Sequence, residues 1–315
     1  MSSNVLDGII GLCVGDALGV PVEFVSRNKL AEESVRNMME YGTHNQPLGT
    51  WSDDSSLTFC LMESLCTGYN LQDIANRFVK WYEEGYWTPY GEVFDIGNAT
   101  LQAISRIKRG CKPVEAGGKT EYDNGNGSLM RILPIAFYLE NDNATENKFK
   151  IVNDISSITH AHSRSIIACA IYVEMAQNLM RKAELRQAYE NMKKTILEYY
   201  SGHEFCTELK HFSRLLENDI STLKENDIKS SGYVVHTLEA SLWCLLNSKT
   251  YSDTVLKAVN MGDDTDTTAA IVGGLAGIYY GLDAIPSEWV NSLARKEDVF
   301  KLCEKFCLKI KSKSV

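Results

Sequence analysis

The sequence predicts an all-α fold, and three observations carry that reading. Only six prolines interrupt 315 residues. Apolar residues recur at helical spacing through nearly the whole chain. Two segments carry glycines three or four residues apart, which gives a helix a smooth face for close packing.

In chain order, residues 6–20 form the first helix, with Gly8, Gly11, Gly15 and Gly19 along it. Pro21 breaks that helix and delivers Glu23 onto a loop, where a solvated side chain is the simplest account. Residues 42–51 are rich in turn formers and lead into a helix over 57–65. Residues 71–84 are amphipathic, with Leu71, Ile74, Ala75, Phe78, Val79 and Tyr82 in one core-facing stripe. After a loop at 85–91, Phe94-Asp95-Ile96-Gly97-Asn98 precedes another helix, and Asp95 taken alone reads as its cap.

The loop over 110–127 ends in Gly125-Asn126-Gly127-Ser128-Leu129-Met130-Arg131 and enters a helix through Pro134. Glycine amides at such a point form a cradle for an anion. Residues 140–150 read as a polar surface loop. Residues 151–180 read as two helices around Thr159-His160-Ala161-His162-Ser163, where the i, i+2 histidines cannot share one helical face. For that pair a structural or hydrogen-bonding role stands beside metal ligation. Amphipathic helix follows to residue 219, and residues 224–231 form a charged linker. Tyr233 starts a helix running to 246. Residues 269–282 form a buried helix with Gly273, Gly277 and Gly281 on one face, and a last helix covers 298–310. No repeat or composition break divides the chain, so residues 1–315 read as one domain.

A hydrophobic content of 44% and a charged content of 23% suit a globular protein with a sizeable core. The net charge of −9 argues against non-specific binding to nucleic acid or anionic lipid. No basic n-region precedes an apolar stretch, and no apolar run reads as long enough to span a membrane. Nine cysteines without paired spacing point to reduced thiols in a cytoplasm. Cys303 and Cys307 lie one turn apart without further zinc ligands nearby, and read as core.

The chain is organised around Gly262-Asp263-Asp264-Thr265-Asp266-Thr267-Thr268. Three carboxylates in four residues repel one another unless a cation sits among them. One aspartate suffices to cap a helix, whereas three with hydroxyls beside them suit hard cations such as Mg²⁺, Mn²⁺ or Ca²⁺. A second cluster, Trp51-Ser52-Asp53-Asp54-Ser55, opens the helix near 57. Two partial shells brought together from distant sequence can hold two cations a few ångströms apart.

These two clusters resemble those of the ADP-ribosylglycohydrolase family. The resemblance extends to Gly15-Asp16-Ala17-Leu18-Gly19 with Glu23, Phe94-Asp95-Ile96-Gly97-Asn98, Gly125-Asn126-Gly127 with Met130-Arg131, and Thr159-His160. Together with the segment from Gly232 to Ala240, it is closest to the branch of dinitrogenase reductase-activating glycohydrolases and runs from about Asp7 to Pro286.

The resemblance implies a compact orthogonal helical bundle with two Mg²⁺ or Mn²⁺ ions in a cleft. Ser52, Asp53, Asp54, Asp264, Asp266 and Thr267 would be their ligands, with Asp266 shared between them. Ser52 stands where the family usually has Thr, and Asp263 where it often has Gly, so Asp263 stays outside that set. Glu23 and Asp95 would supply acid and base. Gly125, Gly127, Ser128 and Met130 would line the diphosphate path, with His160 and Tyr233 on the ribose or adenine side. The implied reaction is hydrolysis at C1 of the distal ribose of ADP-ribose on a modified protein, with arginine as the first acceptor.

Serine-linked ADP-ribose, a free ADP-ribose derivative or modified nucleic acid are alternatives within that chemistry. Two-metal phosphoester hydrolysis uses similar acids, and a non-catalytic ADP-ribose-binding protein would keep the cleft without turnover.

Overall fold

A computed structural model describes residues 3–141 and 144–313, which hold sixteen α-helices, seven short 3₁₀ turns and no β-strand among them. The predicted all-α class is what the chain adopts.

Two apolar helices cross at the centre, Asn4–Gly19 and Thr265–Tyr280. Every residue of the first from Asp7 to Gly19 is buried. A Cβ at Gly11 would collide with the Gly273 carbonyl oxygen, and one at Gly19 would strike the Asp266 backbone. Glycine is therefore required along this seam, as the spacing predicts, and it lets the backbones touch. Thr265 Oγ1 donates to the Gly19 carbonyl at 2.8 Å, and Tyr251 OH to the Gly11 carbonyl at 2.7 Å. Gly281 departs from the expected pattern: at φ +85° it ends the second helix, and a Cβ there would meet no neighbour.

The helix Asn4–Val22 is, by length and composition, long and apolar enough to cross a membrane, contrary to the sequence reading. Its apolar window is 94% buried inside the protein, so the core uses that surface.

Ser163–Met180 and Asp53–Leu65 are buried nearly all round, whereas helices such as Leu71–Glu84 and Leu185–Tyr200 are amphipathic. Leu71–Glu84 has the predicted bounds, but Trp81 rather than the exposed Tyr82 completes its buried stripe. The helix Thr145–Ser157 starts inside the expected surface loop, because Lys148 is buried and pairs with the buried Glu174. The amphipathic helix stops at Tyr200, and 201–222 is broken into turns, two 3₁₀ segments and the short helix Ser213–Leu216, with Tyr199, Tyr200, His203 and Phe205 forming a ring cluster at its start. Tyr251–Val259 is a helix without a counterpart in the sequence reading. The final helix is longer than expected, Lys296–Lys313.

Candidate functional site

Both acidic clusters lie at helix N-termini. Ser52 caps Asp53–Leu65, its Oγ accepting from the Asp54 amide at 3.3 Å. Asp264 occupies the cap position of Thr265–Tyr280 but makes no side-chain cap bond. The cap role and the cluster role therefore separate at the second helix. Asp263 holds φ +61°, a backbone state that glycine adopts more readily.

The glycine seam brings the clusters together. Thr267 Oγ1 donates to Asp54 Oδ1 at 3.4 Å. Carboxylate oxygens of Asp16, Asp54 and Asp266 lie within 4.8 Å of one another, as do those of Glu23, Asp95 and Asp266. Asp16 is completely buried and saturated with donors. Its Oδ1 accepts from the Ser52 amide at 2.9 Å, and its Oδ2 from the Ser55 amide and hydroxyl at 3.0 and 2.6 Å. It thereby ties the first helix to the Ser52 turn.

Glu23 follows the Val20–Val22 turn, where Pro21 is placed as predicted, yet it is buried rather than solvated. Asp95 precedes the helix Asn98–Lys108 but does not cap it; Gly97 holds that position. Asp95 instead faces the acids. The two side chains that look dullest in sequence thus stand beside both clusters.

Together these residues wall a cleft of about 380 Å³, lined among others by Glu23, Asp53, Asp95, Gly125, Gly127, Met130, His160, Asp264 and Thr267. Single bridges join Gly118 to His160 and Gly125 to Tyr233, which pins the glycine loop to the segments that carry them. The Ser128 hydroxyl turns inward to Ser156 and Cys169 and does not line the cleft. Tyr233 stands behind the wall, its ring edge-on to His236 and near the Arg164 guanidinium. Burial, with Arg131 adding to it, pushes His160 down to about 3, so it is neutral. Its Nδ1 is 2.8 Å from the Thr159 hydroxyl. Buried Arg131 donates to the Gly127 carbonyl and holds the loop from behind. His162 caps the helix Ser163–Met180, the structural role anticipated for one of the pair.

Burial first, and then mutual repulsion, raises the acids well above the usual carboxylate range at Asp53, Asp54 and Asp266. Glu23 is pushed up to about 7 by burial, and Asp16 to about 6. Asp54 Oδ2, Asp264 Oδ1 and both oxygens of Asp266 are buried with no hydrogen-bond partner. Buried carboxylate oxygens left alone are costly, and divalent cations relieve both the missing partners and the repulsion. The donor set fits such ions: all oxygen, several carboxylates and a hydroxyl.

Sequence reasoning missed His44, Asn126 and the structural part played by Asp16. Asn126 donates to Asp264 Oδ2 at 2.8 Å, and His44 Nε2 is hydrogen-bonded to Glu23 Oε2. Asn126 lies between two glycines already singled out, which is the one signal that pointed to it.

Fold and site define a class of helical protein whose acids converge from two helix starts on a glycine-walled cleft. The sequence profile described as ADP-ribosylglycohydrolase matches residues 1–314, and the chain belongs to that family. It is 33% identical over 306 residues to an ADP-ribosylarginine hydrolase, Tri1, of Pseudomonas putida (strain GB-1), covering 94% of this chain and 76% of that protein. Against the ADP-ribosyl-[dinitrogen reductase] glycohydrolase of Rhodospirillum rubrum it is 28% identical, covering 92% and 90%. A solved structure described as an ADP-ribosylglycohydrolase-related protein complex superposes with a TM-score of 0.81 at 30% identity, covering 96% of both chains.

Proposed function

We propose that the protein removes ADP-ribose from modified arginine side chains of proteins, hydrolysing the N-glycosidic bond at C1 of the distal ribose. The observation that carries this reading is the set of four unpartnered, buried carboxylate oxygens beside the cleft. The arginine linkage draws on the Tri1 hydrolase of Pseudomonas putida, to which the chain is similar.

In this reading Ser52, Asp53, Asp54, Asp264, Asp266 and Thr267 would hold two divalent cations, Mg²⁺ or Mn²⁺. Such ions orient hydroxyl groups and lower the pKa of bound water. The protein's own acids do the rest. Departure of the guanidine nitrogen builds oxocarbenium-like charge on the ribose, which the surrounding carboxylates stabilise. Glu23, hydrogen-bonded to His44, is placed to move a proton, and Asp95 faces it as the second acid. Gly125, Gly127 and Met130 give the diphosphate a backbone-lined path, and neutral His160 offers a hydrogen bond without charge. Ser128 supports that wall from within, and Tyr233 from behind.

Residues 1–315 act as one domain in this reading, and the partners are an ADP-ribosylated protein and ADP-ribose itself. All nine cysteines are free, consistent with a cytoplasmic location.

The test is release of ADP-ribose from arginine- and serine-linked peptides, with Mg²⁺, with Mn²⁺ and with EDTA. Metal-dependent release from arginine alone is expected. Release from serine alone would reassign the linkage. Binding of ADP-ribose without release from either peptide would remove the enzymatic reading.

A further inference from the structure

Three contacts from one short loop converge on the segment that carries Glu23. The backbone turns tightly at Gly42–His44, with Gly42 at φ +58°. A side chain at Gly42 would collide with the Pro21 carbonyl, so this loop lies directly against the break that ends the first helix. Thr43 Oγ1 donates to the Glu23 carbonyl at 2.8 Å. His44 Nε2 is hydrogen-bonded to Glu23 Oε2.

The imidazole is itself held on two sides. The Phe94 ring centroid lies 5.2 Å away, and Phe24 meets it edge-on at 6.1 Å. Phe24 is fixed in turn at φ +65°, where its amide donates to the Asp263 carbonyl at 2.7 Å. A non-glycine residue in that state beside a functional acid is strain that the surrounding structure must hold in place.

A glutamate side chain has several torsions, and its terminal one is broad. Among the groups acting on this carboxylate, Asp95 and Asp264 repel it, whereas His44 attracts it. We infer that His44 is a positioning residue: it occupies Oε2 and fixes the rotation of the Glu23 carboxylate, leaving Oε1 for the cleft. The inference rests on the glycohydrolase reading, in which Glu23 moves the proton. Misplacing a proton-transfer group by about 1 Å lowers the rate by about 100-fold.

The test compares wild type with His44→Ala, His44→Gln, Glu23→Gln and the double variant His44→Ala/Glu23→Gln. On the arginine-linked peptide, His44→Ala should lower kcat by about 10- to 100-fold while KM moves less than about 3-fold. Mn²⁺ affinity, read by electron paramagnetic resonance, should be unchanged. His44→Gln, whose amide still reaches Oε2, should recover most of the loss. In the Glu23→Gln background His44→Ala should cost nothing further. A crystal structure of His44→Ala should show the Glu23 carboxylate displaced, and that of His44→Gln should show it restored.

An unchanged kcat in His44→Ala would overturn the inference. So would an equal further loss in the Glu23→Gln background, or a Glu23 carboxylate left in place without His44. A wild type silent on every linkage would defeat the glycohydrolase reading instead, and the crystal comparison would still decide whether His44 places Glu23.

Discussion

Asn126 donates one side-chain hydrogen bond to Asp264 Oδ2 at 2.8 Å and another to Thr237 Oγ1 at 3.0 Å. The glycine loop is thereby latched to the acid that heads the central helix Thr265–Tyr280. Asp264 Oδ1 remains without a partner. Asn126→Ala takes a side-chain donor away from a buried carboxylate, which destabilises by about 1–3 kcal/mol. Urea unfolding with Mn²⁺ removed should show that loss, and added Mn²⁺ should recover part of it.

Asp266 carries two buried, unpartnered oxygens among like charges. Asp266→Asn should raise the melting temperature of the metal-free protein while abolishing both Mn²⁺ binding and turnover. A substitution that stabilises the fold and removes activity together marks a position kept for chemistry. Retained Mn²⁺ binding would contradict the ligand assignment.

The pH dependence of the metal-free protein follows from the same acids. Their folded values lie above the ordinary ones: Glu23 rises from 4.5 to about 7 and Asp16 from 3.8 to about 6, both through burial. The folded state therefore binds protons more tightly than the unfolded state. Stability is greatest below the unfolded values and is lost as pH rises through the folded ones. With EDTA present, the melting temperature should fall between about pH 4 and pH 7, and saturating Mn²⁺ should flatten that slope.

Gly11 lies against the Gly273 carbonyl with no room for a methyl group. Gly11→Ala must push the two central helices apart, an overpacking change that costs about 1–3 kcal/mol. Asp16 and Asp266 ride on those helices, so ADP-ribose release should fall as well. Denaturation and activity measured on one preparation check both effects.

His160 is held neutral by burial and by Arg131, at about 3. Its ring proton resonances should stay flat from pH 5 to 8 in an NMR titration. A midpoint in that range would show the ring to be exposed or paired with an acid.

Much of this arrangement is legible in the chain because its cause is local. Glycine spacing announced the central helix contact, and the amphipathic stripe of Leu71–Glu84 announced its bounds. Ser52, Asp53 and Asp54 announce themselves because three polar residues crowd one helix start. What stayed hidden depends on distant partners. Lys148 looked like a surface charge until Glu174 supplied a buried partner. Thr250 and Asp253 form a readable cap for Tyr251–Val259, yet nine residues give too little periodicity to stand out. His44 meets Glu23 through a 3₁₀ turn, and Asn126 reaches Asp264 from 138 positions away. No spacing rule connects either pair.

The seam between the first helix and the one beginning at Thr265 also governs how the protein can be made. A ribosome releases the apolar Asn4–Gly19 segment long before its partner exists, so the nascent chain carries a long sticky helix with nothing to cover it. Contacts that close so late in sequence are slow to form. A chain cut short before Thr265 therefore yields an aggregate or a chaperone client, not a fragment with partial activity.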